Sequence, residues 1–161
     1  MSVAVEIAEL TGRSDPPGAD VRYVVRNGSA STIWLVDDGW LAWRQEGRRI
    51  ELCYARVRMQ PGVVPFGYFP PEVVPLAPGS ELERTASLSW PQRLSGLWNA
   101  DEFASPAPGE YELAVRIGYG ESPEPGPPER LGEGVEAPVM AWQREAVSEP
   151  ARLVVEARSP A

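Results

Sequence analysis

The chain has 161 residues, a net charge of −8, 18 prolines, 15 glycines and no histidine, and all 15 of its basic residues are arginine. Without histidine or lysine there is no Ser–His–Asp triad, no imidazole metal ligand, and no P-loop or Schiff-base lysine. An acidic chain also lacks the positive footprint of a nucleic-acid binder.

The hydrophobic fraction is 43%, with 6 Trp, 5 Tyr and 3 Phe, enough for one packed domain over residues 1–161. At the N-terminus Val3, Val5 and Ile7 alternate as a first strand. Glu6 and Glu9 fall within that stretch and no basic region precedes it, so it is not a secretory signal. No apolar run is long enough to span a membrane, and a cytoplasmic protein is expected. Residues 11–20 contain Pro16-Pro17-Gly18 and read as a turn. Val21, Tyr23 and Val25 form the buried face of the next strand, which Asn27-Gly28 stops. The sequon Asn27-Gly28-Ser29 means little as a glycan site in a cytoplasmic chain. Residues 32–36 are β-branched and aromatic, a strand closed by the turn Asp37-Asp38-Gly39.

Residues 40–58 read as a hairpin. A two-residue loop at Glu46-Gly47 pairs Trp43 with Ile50 and Leu41 with Leu52, which keeps Leu41, Trp43, Ile50, Leu52 and Tyr54 on one face. A three-residue loop with a bulge sets Trp43 against Arg49 instead. The buried face selects the first register, at the cost of Arg44 opposite Arg49. Cys53, the one cysteine, reads as a small buried hydrophobe. Six prolines in residues 59–79 forbid a central strand there and favour edge or polyproline segments. Residues 80–90 alternate through Leu82, Leu88 and Trp90. Residues 92–108 read as a connection with room for one helical turn. Pro108-Gly109 then precedes the cleanest alternation, Tyr111, Leu113, Val115, Ile117 and Tyr119. Residues 120–138 are an acidic Pro/Gly-rich loop. Residues 139–147 fit a helical stripe or a strand, and residues 151–157 form a final strand with Leu153 and Val155 on one face.

Many short strands with Pro/Gly turns, and no helix long enough for a βαβ crossover, predict an all-β fold. The expected form is an antiparallel β-sandwich of about 7–9 strands with at most one short helix, and a β-barrel is the alternative. Tyr-Val-Val-Arg-Asn-Gly-Ser at 23–29, Val-Pro-Leu-Ala-Pro-Gly-Ser-Glu-Leu at 74–82 and Ala-Pro-Gly-Glu-Tyr-Glu-Leu-Ala-Val-Arg-Ile at 107–117 punctuate successive strands, and residues 141–155 look like a last hairpin. This order resembles immunoglobulin-like modules and, more faintly, intracellular proteinase inhibitors of the BsuPI type. The resemblance implies a sandwich and carries no inhibitory residue across.

Three groups of residues are candidates for function. Glu81 with Glu83, and Glu110 with Glu112, share strand faces and have the chemistry of an acid/base pair, although a solvated face is the simpler reading. Asp37-Asp38 lacks the spacing of an EF-hand. The loop aromatics Phe66, Tyr68, Phe69, Trp98 and Phe103 suit a protein or carbohydrate partner, or alternatively cover an open end of the sandwich. Trp34, Trp40, Trp43 and Trp90 fall in strands and are expected in the core. Pro125 and Pro128, followed by Arg130, give polyproline character to a solubilising or partner-docking loop. Together these features predict a non-enzymatic, cytoplasmic protein-binding or assembly module that acts through loops or a sheet edge. No cofactor, metal, nucleic acid or membrane is expected. Protease inhibition, carbohydrate binding and, last, a carboxylate-dependent hydrolase are the alternatives.

Overall fold

A computed structural model describes residues 3–37, 42–56, 70–94, 102–125 and 137–157, with backbone alone at 42–44, 92–94, 102–104 and 137–138. In chain order its elements are β1 (Val3–Ser14), β2 (Pro17–Asn27), β3 (Ile33–Val36), β4 (Ala42–Glu46), β5 (Arg49–Tyr54), β6 (Val73–Leu76), β7 (Glu81–Ser89), β8 (Gln92–Leu94), β9 (Glu102–Ala104), β10 (Gly109–Gly120), α1 (Ala137–Trp142), β11 (Arg144–Val147) and β12 (Ala151–Val155). No described helix is long and apolar enough to cross a membrane.

The strands form a β-sandwich. One sheet has three strands in the order β1-β2-β7, and the other has seven, built around β10. β8 and β9 pair separately as a short ribbon, so residues 92–94 and 102–104 of the expected connection are strand, and residues 95–101, where a helical turn had room, lie outside the described residues. In the small sheet Val3, Val5, Val21, Tyr23, Val25 and Leu88 point inward; they meet Ile50, Leu52, Leu113, Val115, Ile117 and Leu153 of the large sheet. Full burial of each such aliphatic side chain is worth about 1.5–3 kcal/mol. Trp90 joins this core at 6% exposure, but Trp34 is only half-buried, because it alternates away from the inward-facing Ile33 and Leu35.

β1 extends further than its composition suggests. The ladder with β2 shifts between Ile7 and Glu9, one extra residue that brings Leu10 back to the inner side. Pairing then continues to Ser14 opposite Pro17, and the expected turn over 11–20 contracts to Asp15-Pro16. Pro17 is tolerated because it is the first residue of its strand.

The β4–β5 hairpin keeps the expected face but not the expected register. Its two-residue turn is Gly47-Arg48, so Glu46 pairs with Arg49 and Trp43 with Leu52 rather than Ile50. Gly47 has φ 57, and among the described residues only glycines take a positive φ, the signature of a II′ turn with glycine at its first central position. Moving the turn by one residue moves the pairing by two, which preserves the side-chain faces. It also sets Arg44 opposite Glu51, so no arginine pair faces across the hairpin at that point.

β10 organises the large sheet. β5 runs parallel to it along Glu112–Ile117, and β3 continues the same edge at Tyr119 and Gly120. β12 and then β11 occupy the opposite edge, both antiparallel. Residues 141–155 are therefore not a hairpin. After α1 they form one strand interrupted at Ser148-Glu149-Pro150. Pro150 has no N–H for the ladder, and Ser148 repairs the gap. Its N–H donates to Val115 O at 2.9 Å, and its hydroxyl accepts from Val115 N at 3.0 Å. Ser148→Ala leaves the buried Val115 N–H without that acceptor, a cost of about 1–3 kcal/mol. Urea unfolding should show that loss together with faster amide exchange at Val115, and Ser148→Thr should restore both.

Polar groups cross the outer face of the large sheet. Arg116 grips Glu51 through Nε at 2.7 Å and Nη2 at 3.1 Å, and reaches Glu145 at 2.5 Å. The hydrogen bond to Glu51 is the main reason its guanidinium is held above its ordinary value. The Gln143 amide pairs with the Arg56 backbone, accepting from N at 2.8 Å and donating to O at 3.0 Å, as an added strand residue would.

The two flanks of the sandwich differ. On one, β1 lies against β12, and a Cβ on Gly12 would stand 2.8 Å from Val154 O. On the other, a cleft lies between β7 and β3 among the described residues.

Candidate functional site

The flank between β7 and β3 is the candidate site, and the β2–β7 ladder sets its backbone. Asn27 N donates to Ser80 O and Trp90 N to Pro17 O, which fixes the alternation of the antiparallel pair. Leu82, Arg84, Ala86 and Leu88 exchange hydrogen bonds with β2. The N–H and C=O groups of Glu83, Thr85 and Ser87 point the other way, and among the described residues no strand pairs with that edge. Leu82, Arg84, Ala86 and Leu88 turn their side chains toward the core, whereas Glu81, Glu83, Thr85, Ser87 and Ser89 are exposed.

Between β7 and β3 lies a cleft of about 200 Å³, lined by Tyr23, Leu35, Asp37, Tyr54, Leu82 and Arg84 among others. The rings of Tyr23 and Tyr54, both in its lining, lie 5.6 Å apart. Burial raises the Tyr23 phenol far above its ordinary value, with the neighbouring Tyr54 adding to the effect. Burial also raises Tyr54. Both phenols are therefore neutral, and they offer hydrogen bonds rather than charge. Arg84 and Asp37 form an ion pair at 3.0 Å across the gap between the sheets. Asp37 N also donates to Glu72 O at 2.7 Å, which anchors the end of β3.

The solvent face of the small sheet carries ordered charge. Arg26 on the central strand bridges Glu6 of β1 and Glu81 of β7, the latter at 3.1 Å. Arg22 bridges Glu9 at 3.3 Å and Glu83 at 3.1 Å. Arg13 Nε lies 3.0 Å from Asp20, which also accepts from Ser87 Oγ at 2.6 Å. Hydrogen bonding to Glu83 raises the Arg22 guanidinium above its usual value, and bonding to Glu6 does the same for Arg26. Glu81 and Glu83 thus each hold an arginine on an exposed face, and Glu110 holds Arg152.

Of the partner-binding residues expected from sequence, Phe66, Tyr68, Phe69, Trp98 and Pro128 lie outside the described residues, as does the side chain of Phe103. Phe103 itself sits in β9 opposite Arg93. Pro125 is buried. Cys53 is 1% exposed, consistent with a small buried hydrophobe.

Alternation alone places Tyr23 with Val21 and Val25, makes Asp37 a turn residue and gives Arg84 no role. One signal for the site does exist in the sequence: an arginine at an inward position of an otherwise apolar alternation, between Leu82 and Ala86. The rest of the cleft is assembled from strands that are distant in sequence. Comparison with protein-family models, curated proteins and solved structures finds no match for this chain.

Proposed function

We propose that the chain is a non-enzymatic protein-binding module that takes up an extended segment of a partner along the free edge of β7. The observation that carries this reading is the nine-residue β7, unpaired on one side among the described residues and bordered by a cleft between the sheets. Strand addition draws affinity from main-chain hydrogen bonds and specificity from pockets for alternate side chains. Both are on hand here: donors and acceptors at Glu83, Thr85 and Ser87, and a cleft on the inward side.

The immunoglobulin-like reading of the sandwich belongs to the same proposal. Tyr111, near the start of β10, donates its hydroxyl to Ala107 O at 2.8 Å. A tyrosine near a strand start that bonds back to the backbone a few residues upstream recurs in such sandwiches.

Thr85→Pro tests the edge. The Thr85 N–H faces away from β2, so its loss breaks no ladder bond, and Arg84 before it is already extended. The variant should unfold within about 1 kcal/mol of the parent, the range of an edge proline, and should bind no extended peptide. Amide exchange supplies the second measurement. Glu83, Thr85 and Ser87 should exchange freely in the isolated chain and become protected when a peptide binds. Protection of those three amides in the isolated chain, or equal peptide binding by Thr85→Pro, would overturn the reading.

A further inference from the structure

We infer that the partner segment is itself alternating, with basic residues two apart on its solvent side and apolar residues between them. This rests on the strand-addition reading and names the chemistry of its ligand. The outer face of the small sheet carries acid on β1, arginine on β2 and acid on β7, in two rows: Glu6–Arg26–Glu81 and Glu9–Arg22–Glu83. Each row holds two carboxylates and one guanidinium. Each row therefore carries one negative charge in excess, and the acids of β7 stand at the edge with which no described strand pairs. A strand added to β7 places its solvent-side residues beside Glu81 and Glu83. Opposite charges at such positions stabilise a sheet, whereas like charges destabilise it. Glu81 and Glu83 are two residues apart, so the matching basic residues are too.

The inward positions carry the complementary requirement. They face the mouth of the cleft, where Leu82 and Leu35 are apolar, the phenols are neutral, and Asp37 and Arg84 are already paired to one another. A charge there would meet no free counter-charge among the described lining residues, whereas a branched apolar side chain fills it without such a cost.

A second copy of this chain is the weaker occupant. Two β7 strands paired about Thr85 bring Ser87 opposite Glu83 and supply no outward basic residue, and each chain carries a net charge of −8.

The test is a titration of the full chain with three capped hexapeptides at low and at physiological salt. One alternates arginine with valine, one alternates serine with valine, and one has the arginine–valine composition with its arginines adjacent. The alternating arginine peptide should bind about fivefold to tenfold tighter than the serine peptide at low salt, the sum expected of two cross-strand ion pairs. That ratio should shrink at physiological salt. The peptide with adjacent arginines should gain less, because bulk attraction to an acidic chain does not depend on spacing. The doubly substituted Glu81→Gln, Glu83→Gln chain should lose most of the arginine advantage and keep its affinity for the serine peptide.

Equal binding of the arginine and serine peptides, or equal binding of the two arginine peptides, would overturn the charge assignment and leave the edge reading standing. Binding of no peptide, with the β7 amides unprotected throughout, would remove the edge reading itself. A dimer in sedimentation that Thr85→Pro dissociates would replace the basic segment with a second copy.

Discussion

Asn27→Ala should lower the stability by about 3 kcal/mol, because it strips four hydrogen bonds from one buried side chain. Asn27 is 1% exposed at the end of β2. Its Nδ2 donates to Ser31 O at 2.8 Å and Leu76 O at 2.9 Å. Its Oδ1 accepts from Ser29 N at 3.0 Å and Ser29 Oγ at 2.6 Å. One amide thus closes the β2–β3 connection on itself and ties it to β6 in the opposite sheet. Alanine leaves the Leu76 carbonyl without this donor in a place water does not reach, and stranded groups of that kind cost about 1–3 kcal/mol each. The melting temperature should fall by roughly 6–12 °C in a domain of this size.

Asn27→Asp separates hydrogen bonding from shape. An ionised carboxylate there faces two carbonyl oxygens with nothing to donate, so its folded-state pKa must lie above the ordinary value of about 4. A raised folded pKa means that stability is fully present below the unfolded value and is lost as the pH rises through the folded one. The gap between Asn27→Asp and the parent should therefore be smaller at pH 4 than at pH 7 (~4 being the unfolded carboxylate value). The gap for Asn27→Ala should not change between those conditions. A pH-independent gap for the aspartate would show that these carbonyls do not control the site.

Gly18→Ala is the second large effect. Gly18 lies in β2 with Arg13 of β1 on one side and Ser89 of β7 on the other. The Arg13 guanidinium passes over it to donate to Leu88 O at 2.6 Å. A Cβ at Gly18 would stand 2.0 Å from that carbonyl oxygen and 2.8 Å from Arg13 Nη2. The arginine tip can move, but the carbonyl belongs to the β7 backbone and can move only with its strand. Replacing glycine restricts the unfolded chain and stabilises by about 0.4–1 kcal/mol where the backbone allows it. Overpacking costs about 1–3 kcal/mol and here acts on backbone, so it prevails. A net loss of about 2 kcal/mol is expected, with weaker anchoring of Trp90, whose N–H bonds to Pro17 O at 2.8 Å. Gly79→Ala is the comparator. Gly79 has φ 71, and a Cβ there would meet nothing within 4 Å, so that variant reports backbone strain alone. Urea unfolding of both variants checks the ordering, and Gly18→Ala as mild as Gly79→Ala would mean that β7 can give way at Leu88.

Period-two alternation makes most of the sandwich legible in the sequence. Val21, Tyr23 and Val25, then Tyr111, Leu113, Val115 and Ile117, face the core as their spacing requires. What alternation does not encode is which strands meet. Nothing local marks β5 as a parallel neighbour of β10, because the two lie far apart in the chain and either direction satisfies the buried face. The Ser148-Glu149-Pro150 segment has turn composition, yet it occurs where a strand pauses and resumes along the same neighbour. Gly47 reads as a turn residue from sequence, but its place within the turn decides the register, and the pairing of Glu46 with Arg49 and the positive φ of Gly47 reveal that place. The candidate site is the least legible part. An unpaired edge is a property of the assembled sheet. Arg84 and Asp37 meet only because β7 and β3 stand on the same flank of opposing sheets.

The Asn27 cradle also governs how the chain ages. Asn27 is followed by Gly28, the pairing in which a backbone nitrogen most readily attacks a side-chain amide to close a succinimide, expel ammonia and, on hydrolysis, leave aspartate or isoaspartate. In the folded chain both ends of that amide are held, Oδ1 by Ser29 and Nδ2 by Ser31 and Leu76, so the carbonyl carbon is not free to turn toward the Gly28 nitrogen. Unfolding releases it. The product places a carboxylate where the native loop needs a donor, so each excursion from the native state risks a chemical change that disfavours the return. Folding in this chain is thus protection against its own most reactive dipeptide.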